Sequence, residues 1–200
     1  MKIILIILGV LAAALVAAQV YISKSVSDTE AHQYEVLKDY GDFEVRRYEP
    51  ALYSTVELDG SSYQEISGKG FRILAGYIFG DNAQSEKIAM TTPVTMDIDE
   101  KSKMMFMVPS KYDRDQLPKP NNERIQFEEQ EKKVMAAVTF GGWADDEKIA
   151  EHREKLKTML REKGIGHTGE FLFLGYSPPF EVMDRRNEVV VELTDFEGAE

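Results

Sequence analysis

Between residues 34 and 193 the spacing of apolar residues switches between about 2 and about 3.6, and it does so in the same order twice. No other feature limits the fold as much. The first half opens on an apparent hairpin, Tyr34-Glu35-Val36-Leu37 and Phe43-Glu44-Val45 around Asp39-Tyr40-Gly41-Asp42, followed by a strand over 52–58. A helix is expected over 63–79, because Ser62 and Glu65 have capping-box spacing and Gly80 supplies a stop. Short apolar runs over 93–98 and 104–108 complete the half. The second half reads as strands over 124–128 and 134–140, a helix over 145–163 ended by Gly164, and strands over 171–176 and 188–193. Each half thus holds strand, helix, strand, strand, and the phrases Met90-Thr91-Thr92-Pro93-Val94 and Gly175-Tyr176-Ser177-Pro178-Pro179-Phe180 follow the two helices. The expected fold is α+β, with duplicated strand-helix-strand-strand halves forming a twisted or barrel-like, mainly antiparallel sheet with two helices. One domain over 34–194 follows a polar linker over 23–33 and precedes an acidic tail over 195–200.

Ahead of the linker, residues 3–18 form an unbroken apolar run, and Gln19 is the one clearly polar residue before Ile22. Twenty helical residues span about 30 Å, the thickness of one hydrocarbon core, so residues 1–22 read as an N-terminal hydrophobic helix that anchors the chain in a membrane. The small residues Val16-Ala17-Ala18 also fit a cleaved secretory signal peptide. Either way the domain is exported, tethered on the extracytoplasmic side or released as a secreted or periplasmic form. Cysteine is absent, which excludes disulfides, thiolate metal sites and a cysteine nucleophile. A formal net charge of −11 without a Lys/Arg cluster excludes nucleic acid as a partner.

The two helices differ on their outer faces. At about 100° per residue, Tyr63, Ile66, Gly70, Ile73, Leu74, Tyr77 and Ile78 gather on one arc of the first helix, as Ile149, Leu156, Met159 and Leu160 do on the second. Opposite its core arc the second helix carries Glu151, Glu154, Thr158, Arg161 and Glu162, a solvated face. The first helix instead carries Gly68, Arg72, Ala75, Gly76 and Phe79. An interior glycine costs a helix about 0.5–1 kcal/mol relative to alanine, so close approach of another surface is expected there. Three occupants fit: a flat apolar ligand over the glycines with Arg72 on its carboxylate, a packed loop, or a second copy of the chain in a homo-oligomer.

A series of phrases runs in order along the chain: Tyr34-Glu35-Val36, Phe43-Glu44-Val45-Arg46-Arg47-Tyr48-Glu49-Pro50, the stretch 71–80 and Lys87-Ile88-Ala89-Met90-Thr91-Thr92-Pro93-Val94. It continues through Met107-Val108-Pro109-Ser110-Lys111, Leu117-Pro118-Lys119-Pro120 and the second Pro-rich phrase, and ends at Arg185-Arg186-Asn187-Glu188-Val189. In these phrases the chain resembles the SOUL haem-binding family. The resemblance implies haem or another tetrapyrrole as ligand, in an apolar cleft beside the first domain helix. That agrees with the outer face of the helix, where Gly68, Arg72, Ala75, Gly76 and Phe79 are the expected contacts. Arg185 and Arg186 are further partners for propionates, and Met90 is the methionine that the resemblance puts nearest the cleft, a residue type that can ligate haem iron. The resemblance also implies an architecture shared with gyrase-inhibitor-type effector-binding domains. The position where some members carry a proposed iron-ligating histidine is Arg47, whose guanidinium stays protonated and cannot ligate iron. His32 falls in the linker, His152 at the edge of a helical apolar arc and His167 in a Gly-rich turn, none at metal-site spacing from a partner. No nucleophile elbow, phosphate loop or His/Glu metal motif appears, so a carrier, buffer or sensor is expected rather than an enzyme. The alternatives are a module for another flat hydrophobic molecule and a structural, partner-binding domain.

Overall fold

Alternating strands and two side-chain-capped helices build the α+β fold. The computed structural model describes residues 29–60, 62–97, 102–178, 181–182 and 184–196, together with Ile4, Ile7, Val10, Leu11, Gln19 and Lys24. Apart from those isolated positions, the expected N-terminal helix and most of the linker lie outside the described residues. Among the described residues no helix is long and apolar enough to cross a membrane.

The order along the chain is β1 (Tyr34–Asp39), β2 (Glu44–Tyr48), β3 (Ala51–Glu57), α1 (Tyr63–Ile78), β4 (Val94–Asp97), β5 (Lys103–Met107), β6 (Ile125–Gln130), β7 (Lys133–Gly141), α2 (Asp146–Lys163), β8 (His167–Gly175) and β9 (Arg186–Leu193). The strands form one nine-stranded sheet in the order β1-β2-β7-β9-β8-β4-β5-β3-β6. Every pairing between them is antiparallel. The sheet curls into a half-barrel, open between β1 and β6, so it is barrel-like without closing.

The strand order repeats between the halves. The run β7-β9-β8 in one half is matched by β3-β5-β4 in the other. The strand that precedes each run is exchanged, because β2 pairs with β7 while β6 pairs with β3.

The helices begin where their caps put them. The Ser62 hydroxyl accepts from the Glu65 amide at 3.2 Å, and the Asp145 carboxylate accepts from the Lys148 amide at 2.8 Å, each satisfying an orphan first-turn donor. Gly164 ends α2 at φ +68°, a left-handed conformation open to glycine at no steric cost. Asp146 at the start of α2 also accepts from the Tyr63 amide, which ties the N-termini of the two helices together.

Both helices lie on one face of the sheet, α1 on β3 and β5 and α2 on β7, β8 and β9. Period-two alternation sends Val45, Val56, Met96, Met104, Phe106, Val138, Phe173, Val189 and Val191 to that face, where they bury Leu74, Tyr77, Leu156 and Leu160. A smaller cluster of Tyr48, Met135, Ala137, Leu174 and Val190 is buried on the opposite face. Residues just before β1, expected as linker, are bonded into the domain: the His32 amide donates to the Thr92 carbonyl at 3.0 Å and the Thr92 amide to the Glu30 carbonyl at 2.9 Å.

Candidate functional site

The inward arc of α1 follows the apolar spacing, with Ile66, Gly70, Leu74, Tyr77 and Ile78 buried. Gly70 belongs to this packing, since a Cβ there would sit 2.7 Å from Leu58 Cδ1 and 3.0 Å from Met104 Cβ. Gly68 is different. A Cβ at Gly68 would meet nothing within 4 Å, and one at Gly76 would meet only Asp81, at 3.9 Å. Among the described residues, no packed loop therefore accounts for these two small residues.

Around them the helix exposes apolar surface. Phe79, the C-cap residue, is 62 % exposed, and Phe71 is 37 % exposed with its ring edge-on to Phe106 at 5.4 Å. Arg72 is exposed between the glycines and has no ion-pair or hydrogen-bond partner among the described residues. Ala75, expected on this outer face, is buried. It lies one turn from both Phe71 and Phe79, and bulky i±4 neighbours screen so short a side chain. Phe71 is an addition that the sequence did not reveal, because its angular position falls at the boundary between the two faces.

Gly68, Arg72, Gly76 and Phe79 thus share the outward arc of α1. The other expected contacts are engaged elsewhere. Met90 packs partly buried against the helix-side core. Arg185 lies over the Trp143 ring at 4.0 Å and donates to the carbonyls of Pro178 at 2.8 Å and Glu181 at 2.6 Å. Arg186 points to the opposite face of the sheet, where it donates to Glu188 at 2.7 Å and to the Tyr34 hydroxyl at 3.0 Å. Arg47 sits in β2, paired with Glu35 at 3.1 Å, and β7, β9, β8 and β4 separate β2 from the strands under α1.

That opposite face holds the polar centre of the molecule. The Glu188 carboxylate is fully buried and accepts from Arg46 at 2.8 Å, Tyr176 at 2.8 Å, Thr139 at 3.0 Å and Arg186. Burial alone would raise the pKa of Glu188, but the hydrogen bonds and charges of Arg46 and Arg186 outweigh it and hold the carboxyl below its ordinary value. Arg46, itself buried, also donates to Glu44 at 2.7 Å and to the Tyr48 hydroxyl at 3.1 Å. Burial and the Glu188 charge push both Tyr48 and Tyr176 up, so their phenols stay protonated. Glu44-Val45-Arg46-Arg47-Tyr48 and Arg186-Asn187-Glu188 carried the only sequence signal of this cluster, as polar residues at alternate strand positions.

His32 is half-buried beneath the same face, its ring 5.1 Å from that of Tyr48, with Nδ1 at 2.9 Å from the Tyr53 hydroxyl and Nε2 at 2.7 Å from the Glu49 carbonyl. Burial lowers its pKa against the opposing pull of that carbonyl. His152 stacks on Phe140 at 4.1 Å, a packing role. Among the described residues no group of three His, Cys, Asp or Glu side chains could hold a metal ion.

The sequence profile of the SOUL heme-binding protein family matches residues 29–192. Heme-binding protein 1 of Xenopus laevis is 31% identical over 160 residues, covering 76% of this chain and 84% of the relative. Heme-binding protein 2 of Mus musculus is 30% identical over 158 residues, covering 74% and 77%. Among solved structures, the C-terminal domain of EcmrR superposes with a TM-score of 0.59 at 11% identity, over 82% of this chain and 99% of that one. A hydrolase from Listeria innocua superposes with a TM-score of 0.53 at 7% identity, over 86% and 97%. At such identities these two likenesses concern the fold alone.

Proposed function

Because the chain belongs to the SOUL heme-binding protein family, we propose that it binds haem or a related tetrapyrrole, with the flat ring lying across the outward arc of α1. The observation that carries this reading is the open stripe of Phe71, Arg72 and Phe79 around Gly68, whose Cβ position is empty to 4 Å. Two exposed phenyl rings supply apolar contact, the glycine lets a planar molecule approach the backbone, and the Arg72 guanidinium, without a partner among the described residues, suits a propionate. These residues fit a porphyrin held by its faces and edges. They do not fit iron ligation, since α1 contains neither histidine nor methionine and Arg47 stands under another part of the sheet. The chain is read as a binding protein rather than an enzyme, in keeping with the names of its relatives.

Titration of the full chain in detergent with haem tests the site. A saturable Soret change with quenching of Trp143, the sole tryptophan, is the expected result. Gly68→Glu should abolish it without loss of fold, and Arg72→Ala should weaken it about tenfold, the loss of roughly 1.4 kcal/mol of charge-assisted hydrogen bonding. Undiminished affinity in Gly68→Glu removes α1 from the site.

The apolar run over residues 3–18 is proposed to tether this domain to the membrane on its extracytoplasmic side. Its length supports that reading. After alkaline extraction of cells the chain should stay with the membranes and retain Met1. A mature N-terminus at about residue 19 would replace the tether with a released domain.

A further inference from the structure

A cavity of about 490 Å³ lies away from α1, between the strip ahead of β1, the end of β8 and the β8–β9 loop. That volume is in the range of small-molecule sites, roughly 300–1,000 Å³. Its walls include His32, Tyr34, Thr92, Tyr176, Glu181 and Arg186. Four buried side-chain atoms among the described residues lack any hydrogen-bond partner, and two of them, Thr92 Oγ1 and Glu181 Oε2, belong to residues lining this one cavity. A carboxylate that is only 4 % exposed and has an unpaired oxygen is costly, and such an atom calls for a donor that occupies the space beside it.

Charge selects the donor. Of the cationic groups nearby, Arg186 is committed to Glu188 at 2.7 Å, and Arg185 donates to the backbone carbonyl of Glu181, not to its carboxylate. His32 has both ring nitrogens engaged. Asp184 adds a second acidic group to the lining. Donor demand and uncompensated negative charge therefore coincide in a space that Tyr34 and Tyr176 also line.

We propose that this cavity is a second ligand site, independent of the α1 face, and that it takes a small molecule bearing a primary ammonium group on an apolar body, the ammonium donating to Glu181 and Thr92. Phenethylammonium is a suitable probe, and 2-phenylethanol is its neutral counterpart. Calorimetric titration of the full chain in detergent should show saturable binding of phenethylammonium that is at least about tenfold weaker for the alcohol and about tenfold weaker in Glu181→Gln, as for loss of a charge-assisted bond. Thr92→Val should weaken it less. The haem titration of Glu181→Gln should match that of the parent, which separates this site from the α1 face. A cavity holding only water gives no saturable heat with phenethylammonium, and that overturns the proposal. Equal affinity for ammonium and alcohol overturns it too, and this comparison needs only the parent protein should Glu181→Gln fail to fold.

Discussion

Glu188 is where a single side chain decides most. Its carboxylate is fully buried, and Arg46, Thr139, Tyr176 and Arg186 all donate to it. Removing one partner of a buried ion pair leaves the other charges without compensation, so Glu188→Ala should cost about 3–5 kcal/mol, read from denaturant midpoints. The pH dependence follows from the lowered pKa. A carboxyl held below its unfolded value contributes stability that is fully present above that unfolded value. The contribution is lost as pH falls through the folded value, because the unfolded state then binds the proton more readily. Stability measured from neutral pH downward should therefore drop below the ordinary carboxylate range, and the drop should be shallower in Glu188→Gln. This cluster was faintly legible in the sequence. Glu44, Arg46 and Tyr48 share one face of β2 by alternation, but 142 positions separate Arg46 from Glu188, and only the β2–β7–β9 register brings them together.

Among the elements, α1 sets two glycines of opposite meaning one half-turn apart. Gly70 faces Leu58 and Met104, and a methyl group there would force packed side chains aside, so Gly70→Ala should destabilise by about 1–3 kcal/mol. Gly68 faces open space, and Gly68→Ala should stabilise by about 0.5–1 kcal/mol through helix propensity. Thermal melts of the two variants should move in opposite directions, and a loss of stability in Gly68→Ala would mean that something covers this face. Helical periodicity alone assigned Gly70 to the core and Gly68 to the outside. Its failures lie at the margin of the arc, at Ala75 and Phe71, where neighbouring bulk rather than angle decides exposure. Caps were equally readable: Ser62, Asp145 and Gly164 bound their helices where short-range chemistry requires. The cavity under β1 was invisible to such reasoning, since its walls come from the strip ahead of β1, the turn at Thr92 and the β8–β9 loop, segments without periodicity.

For the whole molecule, the twofold pattern in the order of strands and helices matches the sheet, but apolar spacing carries no sign that the leading strands change places. That exchange makes the two halves depend on each other. A single half with this connectivity would leave the pairing edge of β3 or β7 bare, because the strand that covers it comes from the other half. A half-length chain with this connectivity could cover that edge by exchanging its first strand with an identical neighbour, and in the full-length chain the same exchange is made within one molecule, so that neither half completes its sheet without the other.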